Sequence, residues 1–117
     1  MDIINLEKAV KLMDGDLELF GDLFEIIESS LPEKYALIEK ALASRSATDL
    51  ELYAHQLKGA LRNVAADEAC SLLERLEKCG TKNDFAQAHE LYPKVKPLVD
   101  QVLEFYRSRV WVPAFAK

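Results

Sequence analysis

Glycine, proline and cysteine are scarce in this sequence. Its 117 residues include four glycines, four prolines and two cysteines. No stretch offers the glycine-rich loop that cradles nucleotide phosphates, and so few breaks leave little room for a succession of strands. Cys70 and Cys79 are nine positions apart, which puts them on opposite sides of any helix at about 100° per residue. We therefore expect no disulfide between them.

The sequence also lacks features that membrane, secreted and nucleic-acid-binding proteins need. No run approaches the ~20 apolar residues that a membrane span needs, and no charged-then-apolar leader follows Met1. The formal charge of −5 argues against nucleic-acid binding, which usually requires a basic surface. Half of the chain is hydrophobic, enough for one core at this length. We expect one cytoplasmic, monomeric domain over residues 1–117, with neither a membrane nor a nucleic acid as partner.

Apolar residues recur in steps of three and four over most of the chain, which is typical of helices. A short segment around Leu6 to Met13 predicts a small N-terminal capping helix. A long helical stripe follows from Asp16, a favourable N-cap, to Leu42, and it keeps its phase across Pro32. We predict a kink at this proline and no helix end. Residues 44–46 are predicted to connect to the next helix.

The second half of the chain predicts three further helical stretches. These are a third helix over about 48–65, a fourth over about 67–79 that ends at Gly80, and a last one from Asp84 that is interrupted near Pro93 and Pro97. The tail from Trp111 has no clear period and is expected to form an irregular cover or to fray. The predicted fold is all-α: an antiparallel four-helix bundle over about 16–108, with the short capping helix and a tail over 109–117.

His55 lies on the polar face of the predicted third helix. At about 100° per residue from Leu50, His55, Lys58, Gly59 and Arg62 fall between roughly 80° and 180° from the centre of the apolar stripe. Imidazole has an ordinary pKa near 6.5, so at neutral pH it keeps a ring nitrogen free for attack on phosphorus. Lys58 and Arg62 can offset charge on a transferring phosphoryl group, an electrostatic aid on which such reactions depend.

Gly59 is unusual because glycine in a helix interior is destabilising by roughly 0.5–1 kcal/mol relative to alanine. It follows His55 by one helical turn. Clearance for a partner that closes over the histidine would explain it. By contrast, His89 lies at the shoulder of a buried stripe with no adjacent glycine, and we interpret it as structural.

Residues 54–59, with the sequence AHQLKG, resemble the signature of the histidine-phosphotransfer (HPt) domain family. In that signature a histidine precedes an aliphatic residue by two positions, and lysine and glycine follow. Residues 16–43 and 69–77 resemble the helices that flank the signature. Family members often have glycine, then a small residue, at the positions of Ala65 and Ala66, so this chain departs from the pattern there.

The resemblance implies a phosphorelay carrier with no kinase activity of its own. It implies that His55 is phosphorylated, that Lys58 assists electrostatically and that Gly59 leaves room for the partner. Arg62 is a further electrostatic candidate. The implied partners are response-regulator receiver domains, a hybrid sensor histidine kinase, or both. The resemblance implies no cofactor on this chain, because the receiver supplies the aspartate and Mg²⁺.

Three alternatives compete with this interpretation. A helical module that binds a partner without phosphotransfer would leave Lys58 and Gly59 unexplained. A metal site formed by His55, His89 and a cysteine would draw on three helices and lacks a ligand-spacing motif. A hydrolase would need an activated nucleophile with an orienting group, which the sequence does not display.

Overall fold

The computed structural model describes residues 3–115, and all regular structure within them is helical. The elements in chain order are α1 (Leu6–Leu12), α2 (Leu17–Ser44), α3 (Ala47–Arg62), α4 (Asp67–Lys82), α5 (Phe85–Leu91), a 3-10 turn (Tyr92–Lys94), α6 (Val95–Ser108) and α7 (Val112–Phe115). The predicted all-α bundle is confirmed. None of these helices has the length and apolar character needed to cross a membrane.

The hairpin of α2 and α3 is set by local capping. The Asp16 carboxylate accepts a hydrogen bond from the backbone N–H of Leu19 at 3.0 Å, which starts α2. The helix runs through Pro32, as predicted, and ends where Arg45 adopts a left-handed conformation with φ 54°. Ser46 then caps α3 by accepting from the N–H of Asp49. This short connection confirms the predicted linker and turns the chain back on itself.

The predicted end of α3 is wrong by three residues. The helix stops at Arg62 and not at Ala65, because Ala65 takes a left-handed conformation with φ 58°. The Ala65 carbonyl accepts a hydrogen bond from the N–H of Asn5, which fastens the segment before α1 to this turn. A left-handed residue with a Cβ is disfavoured by roughly 1–2 kcal/mol. That preference explains why glycine suits this position.

The predicted end of α4 is also wrong. The helix continues to Lys82, and Asn83, with φ 56°, is its left-handed cap. Gly80 is instead an interior residue facing α3. A Cβ on Gly80 would lie 2.6 Å from the backbone nitrogen of Glu51 and 2.9 Å from the carbonyl oxygen of Ala47. The glycine therefore permits close packing of the two helices that carry the site described below.

The last predicted helix is broken near Pro93, as expected. The chain changes from α5 to a 3-10 turn over Tyr92–Lys94 and resumes as α6. Pro93 lacks the N–H needed for regular helical bonding, while Pro97 falls in the first turn of α6, where that N–H is not needed. The bundle's fourth stretch is therefore two helices joined by a tight turn.

The tail is more ordered than the sequence predicts. Trp111 is only 2% exposed, and its indole N–H donates a hydrogen bond to the carbonyl oxygen of Tyr106 at 2.7 Å. The rings of Trp111 and Phe115 lie 4.9 and 4.8 Å from that of Phe20, centroid to centroid. The expected irregular cover is thus a helical turn, α7, anchored by aromatic packing. Residues 116 and 117 of the predicted tail lie outside the described part.

Candidate functional site

His55 projects from the open face of α3. Its side chain is 60% exposed, as the helical phase predicts. A shallow depression surrounds the imidazole, and Leu52, one turn before His55 and 45% exposed, forms part of its lining. The site therefore combines an accessible ring with a nearby apolar contact.

Glu77 of α4 reaches the imidazole from the neighbouring helix. Its Oε2 atom lies 3.1 Å from Nδ1 of His55, and its other oxygen, Oε1, lies 2.7 Å from Nζ of Lys58. One carboxylate thus bridges the histidine and the lysine. Gly80, three residues after Glu77 on α4, lets α3 and α4 approach closely. The bridge from Glu77 to His55 and Lys58 depends on this close packing.

The electrostatic environment favours an ionised Glu77. Partial burial by itself would raise the pKa of this carboxyl, but hydrogen bonding to Lys58, the charge of Lys58 and contact with His55 together hold the pKa below its usual value of 4.5. An ionised carboxylate can only accept hydrogen bonds. The Nδ1 atom of His55 is therefore the donor, and in a neutral ring the lone pair is on Nε2, on the edge away from Glu77.

Lys58 does not lie on the open face where the sequence places it. Its side chain is only 9% exposed, and its ammonium group is paired with Glu77. The helical phase put Lys58 about 80° from the stripe centre, at the margin of the polar face. Packing of α4 over this margin covers the lysine, and because a buried charge needs a partner, Glu77 supplies it.

Gly59 and Arg62 are placed differently from each other. A Cβ on Gly59 would meet no atom within 4 Å beyond its own helix backbone, so the surface one turn after His55 is open. Arg62 is exposed, but it lines a second depression with Lys8 and Asp67 and not the one around His55. The structure therefore brings His55 and Gly59 together on one surface and leaves Arg62 in the adjoining depression.

A comparison with protein families identifies the chain. The family model for the Hpt domain matches residues 22–105, well over half of the sequence. This chain belongs to the Hpt domain family. Hpt domains serve phosphotransfer in two-component phosphorelays, as the motif around His55 implied. No curated protein and no solved structure matches the chain significantly.

Some features of this Hpt domain lie outside the matched range. The helices α1 and α7 pack against each other, and Phe115 of α7 belongs to the aromatic cluster at Phe20. They lie before and after residues 22–105, respectively. The end of the bundle next to the aromatic cluster is therefore completed by segments beyond the family match.

The two histidines of the Hpt domain differ in their partners and not in their exposure. His89 is exposed on α5, which corrects the expectation that it packs at the shoulder of the buried stripe. Within residues 3–115, no hydrogen bond or ion pair joins its ring to another side chain. Exposure alone therefore does not distinguish His55, whereas the carboxylate beside Nδ1 does.

Sequence reasoning missed Glu77 and Leu52. A weak signal for Glu77 was available, because it follows the buried Leu73 by four residues and precedes Gly80 by three. That spacing places a carboxylate at the edge of a buried stripe, where an unpaired charge is unfavourable. Which cation it meets depends on how α3 and α4 pack. Leu52 lies three residues before His55, and so on the same face of α3.

Proposed function

We propose that this Hpt domain accepts a phosphoryl group on Nε2 of His55 and exchanges it with the aspartate of response-regulator receiver domains. The observation that carries the proposal is the hydrogen bond between Nδ1 of His55 and Glu77 on an otherwise exposed imidazole. It orients the ring and leaves Nε2 facing solvent with its lone pair. Membership of the Hpt family supports the same assignment.

The transfer step requires little of this chain beyond orientation. The Nε2 lone pair attacks phosphorus of the aspartyl phosphate, the P–O bond breaks, and its electron pair returns to the aspartate carboxylate. Catalysis of phosphoryl transfer rests mainly on positioning and electrostatics. The receiver is expected to supply its aspartate and Mg²⁺, so that His55 needs only to be held at the correct angle.

The surface around His55 suits a partner that covers the ring. Gly59 presents no side chain one turn after the histidine, and Leu52 offers an exposed apolar contact one turn before it. Apolar side chains near the centre of an interface contribute strongly to binding when water is excluded. We expect a receiver domain to approach over Gly59, and Leu52 to be buried in the complex.

The proposal includes a passive role in a cytoplasmic relay. A receiver domain, a hybrid sensor histidine kinase or both would supply the phosphoryl group, and this chain would act as a monomer without hydrolysing ATP. Lys58 and Gly59 are proposed to assist by electrostatics and clearance, respectively, with Arg62 as a weaker electrostatic contributor from its neighbouring depression.

The proposal is tested with a phosphorylated receiver domain carrying labelled phosphate. Label should pass to the chain as an acid-labile phosphoramidate, and His55→Gln should abolish transfer while the helical circular-dichroism spectrum is retained. His89→Gln is the matched control. Like His55, His89 is exposed, but within the described residues no carboxylate is bonded to its ring, so the His89→Gln protein should accept label at the parent's rate. Incubation with ATP alone should give no label.

Two outcomes would contradict the proposal. Label that persists in His55→Gln, or that is stable to acid, would place the phosphoryl group elsewhere. Stable binding of phosphorylated receivers, with no label passing from any of them to this chain, would favour the alternative of an interaction module. Incorporation from ATP without a kinase or receiver would contradict the passive carrier role.

A further inference from the structure

A groove with a volume of about 560 Å³ runs between α4 and α6, and it shares no residue with the depression around His55. Its floor is apolar, because Leu72 of α4 and Leu98 of α6 pack against the core and yet remain only half-buried. Pro93 and Pro97 are exposed along the same floor. Binding sites in proteins typically have volumes of about 300–1,000 Å³ and mostly apolar walls. The groove therefore has the size and the lining of a binding site.

The two ends of the groove carry opposite charge. The chain reverses direction after α4, and its backbone stays helical from residue 91 to residue 95, so α6 runs back alongside α4. Arg75, late in α4, therefore lies at the same end as Lys94, just before α6. Glu68, early in α4, lies at the other end with Gln101. Seven residues separate Glu68 from Arg75, which corresponds to about 10 Å along a helix.

The charged side chains of the groove are free to meet a partner. Within residues 3–115, none of Glu68, Arg75 and Lys94 forms an ion pair. By contrast, Lys8 in the adjoining depression is paired with Asp67 at 3.0 Å. The groove thus offers an apolar floor between a cationic end and an acidic end, and its charges are not neutralised by neighbours.

We propose that this groove docks an amphipathic helix of a partner protein, with the acidic first turn of that helix against Arg75 and Lys94 and its basic last turn against Glu68. Grooves of this kind accept a helix through apolar side chains at positions i, i+3, i+4 and i+7. Helices favour acidic residues in the first turn and basic residues in the last, and two full charges outweigh the partial charge of a helix end. The charges therefore fit such a helix in one direction only, parallel to α6.

The docked helix would leave His55 accessible. Arg75 and Glu77 are two residues apart on α4, or about 200° around the helix, so the groove and the carboxylate beside His55 lie on opposite sides of α4. A partner held in the groove would remain bound while a receiver approaches the imidazole. The inference depends on the packing of α4 and α6 and not on the chemistry proposed for His55.

The first experiment titrates the nitrogen-labelled protein with a synthetic helical peptide of about 12 residues, which is long enough to cover the groove. The peptide carries two glutamates in its first turn, leucines at i, i+3, i+4 and i+7, and two lysines in its last turn. A second peptide has the glutamates and lysines exchanged, and a lactam bridge keeps both helical, as circular dichroism verifies. Amide shifts should be confined to residues 68–75 and 93–101. The first peptide should bind at least about fivefold more tightly, because the exchange replaces attraction by repulsion at both ends.

The second experiment reverses the charge at one end of the groove. The double variant Arg75→Glu, Lys94→Glu should lose the preference for the first peptide. The double variant Lys40→Glu, Lys82→Glu is the matched control, because it changes the net charge equally outside the groove and should keep the preference. All four residues are exposed, and unfolding curves verify each protein.

The peptide comparison in the parent protein tests the proposal even if a variant misfolds. Absence of binding at peptide concentrations on the order of 1 mM, equal affinity for the two peptides, or shifts centred on α3 would each overturn the proposal. A preference retained by Arg75→Glu, Lys94→Glu would do the same. Phosphate transfer from a receiver should continue at an unchanged rate when the groove is saturated with peptide, and strong inhibition would contradict simultaneous docking. Failure of transfer without peptide would contradict the proposed function alone.

Discussion

Gly59 and Gly80 both lie inside helices, yet alanine at the two positions should change stability in opposite directions. Replacing an interior helical glycine with alanine favours folding by up to about 1 kcal/mol. At Gly59 the added Cβ would meet nothing within 4 Å beyond its own helix backbone. Gly59→Ala should therefore raise the free energy of unfolding by roughly 0.5–1 kcal/mol.

At Gly80 a steric clash between the added Cβ and α3 outweighs the gain in helix stability from alanine. The added Cβ would lie 2.6 Å from the Glu51 nitrogen, whereas contacts of carbon atoms are favourable at about 3.5 Å or more, so α3 and α4 must separate by roughly 1 Å. Overpacking a core typically costs about 1–3 kcal/mol. The upper end applies because the blocking atoms are backbone atoms that cannot rotate away. After the helix gain, Gly80→Ala should lose about 2 kcal/mol.

Urea and thermal unfolding followed by circular dichroism would measure both changes. At this chain length about 1 kcal/mol corresponds to roughly 4 °C, so Gly59→Ala should melt about 3 °C above the parent and Gly80→Ala about 8 °C below it. The separation of α3 from α4 should also weaken the bridge from Glu77 to His55. Equal stabilisation by both alanines would refute the close packing at Gly80, and destabilisation by Gly59→Ala would show that its surface is covered.

Three further predictions concern the docking surface, the tail and the bridging carboxylate. Gly59→Gln should fold at least as well as the parent but transfer phosphate much more slowly, because its side chain would occupy the space beside His55; full transfer would show that clearance is not required. Trp111→Ala should lower stability by about 3–5 kcal/mol, and the exposed Val110→Ala by less than about 0.5 kcal/mol, in the same unfolding assay. Because the pKa of Glu77 is lowered in the folded state, its stabilisation should be complete above the ordinary value of 4.5 and disappear as pH falls through the lowered one. Unfolding titrations below pH 5 should accordingly show a weaker acid dependence in Glu77→Gln, and an unchanged slope would contradict the ionised bridge.

The sequence alone was sufficient to predict the helices and the exposure of His55. Helix period and capping are local properties, so the stripe after Asp16 and the connection at Arg45 could be located from neighbours in the chain. The same locality made the AHQLKG motif informative, since a histidine and a glycine four residues apart must share one face. The continuation of α2 through Pro32 followed from an unbroken stripe.

Tertiary structure decided the features that depend on which surfaces meet. Lys58 lies at the margin of a polar face, and only the position of α4 determines that it is covered and paired with Glu77. From the sequence, Gly80 could equally have ended a helix or allowed another helix to pack closely against it. The close approach of α3 shows that it has the second role. The order of the tail likewise comes from the burial of Trp111 against Phe20, a contact between distant parts of the chain. Periodicity assigns a residue to a face, but its burial and its partner depend on the element packed against that face.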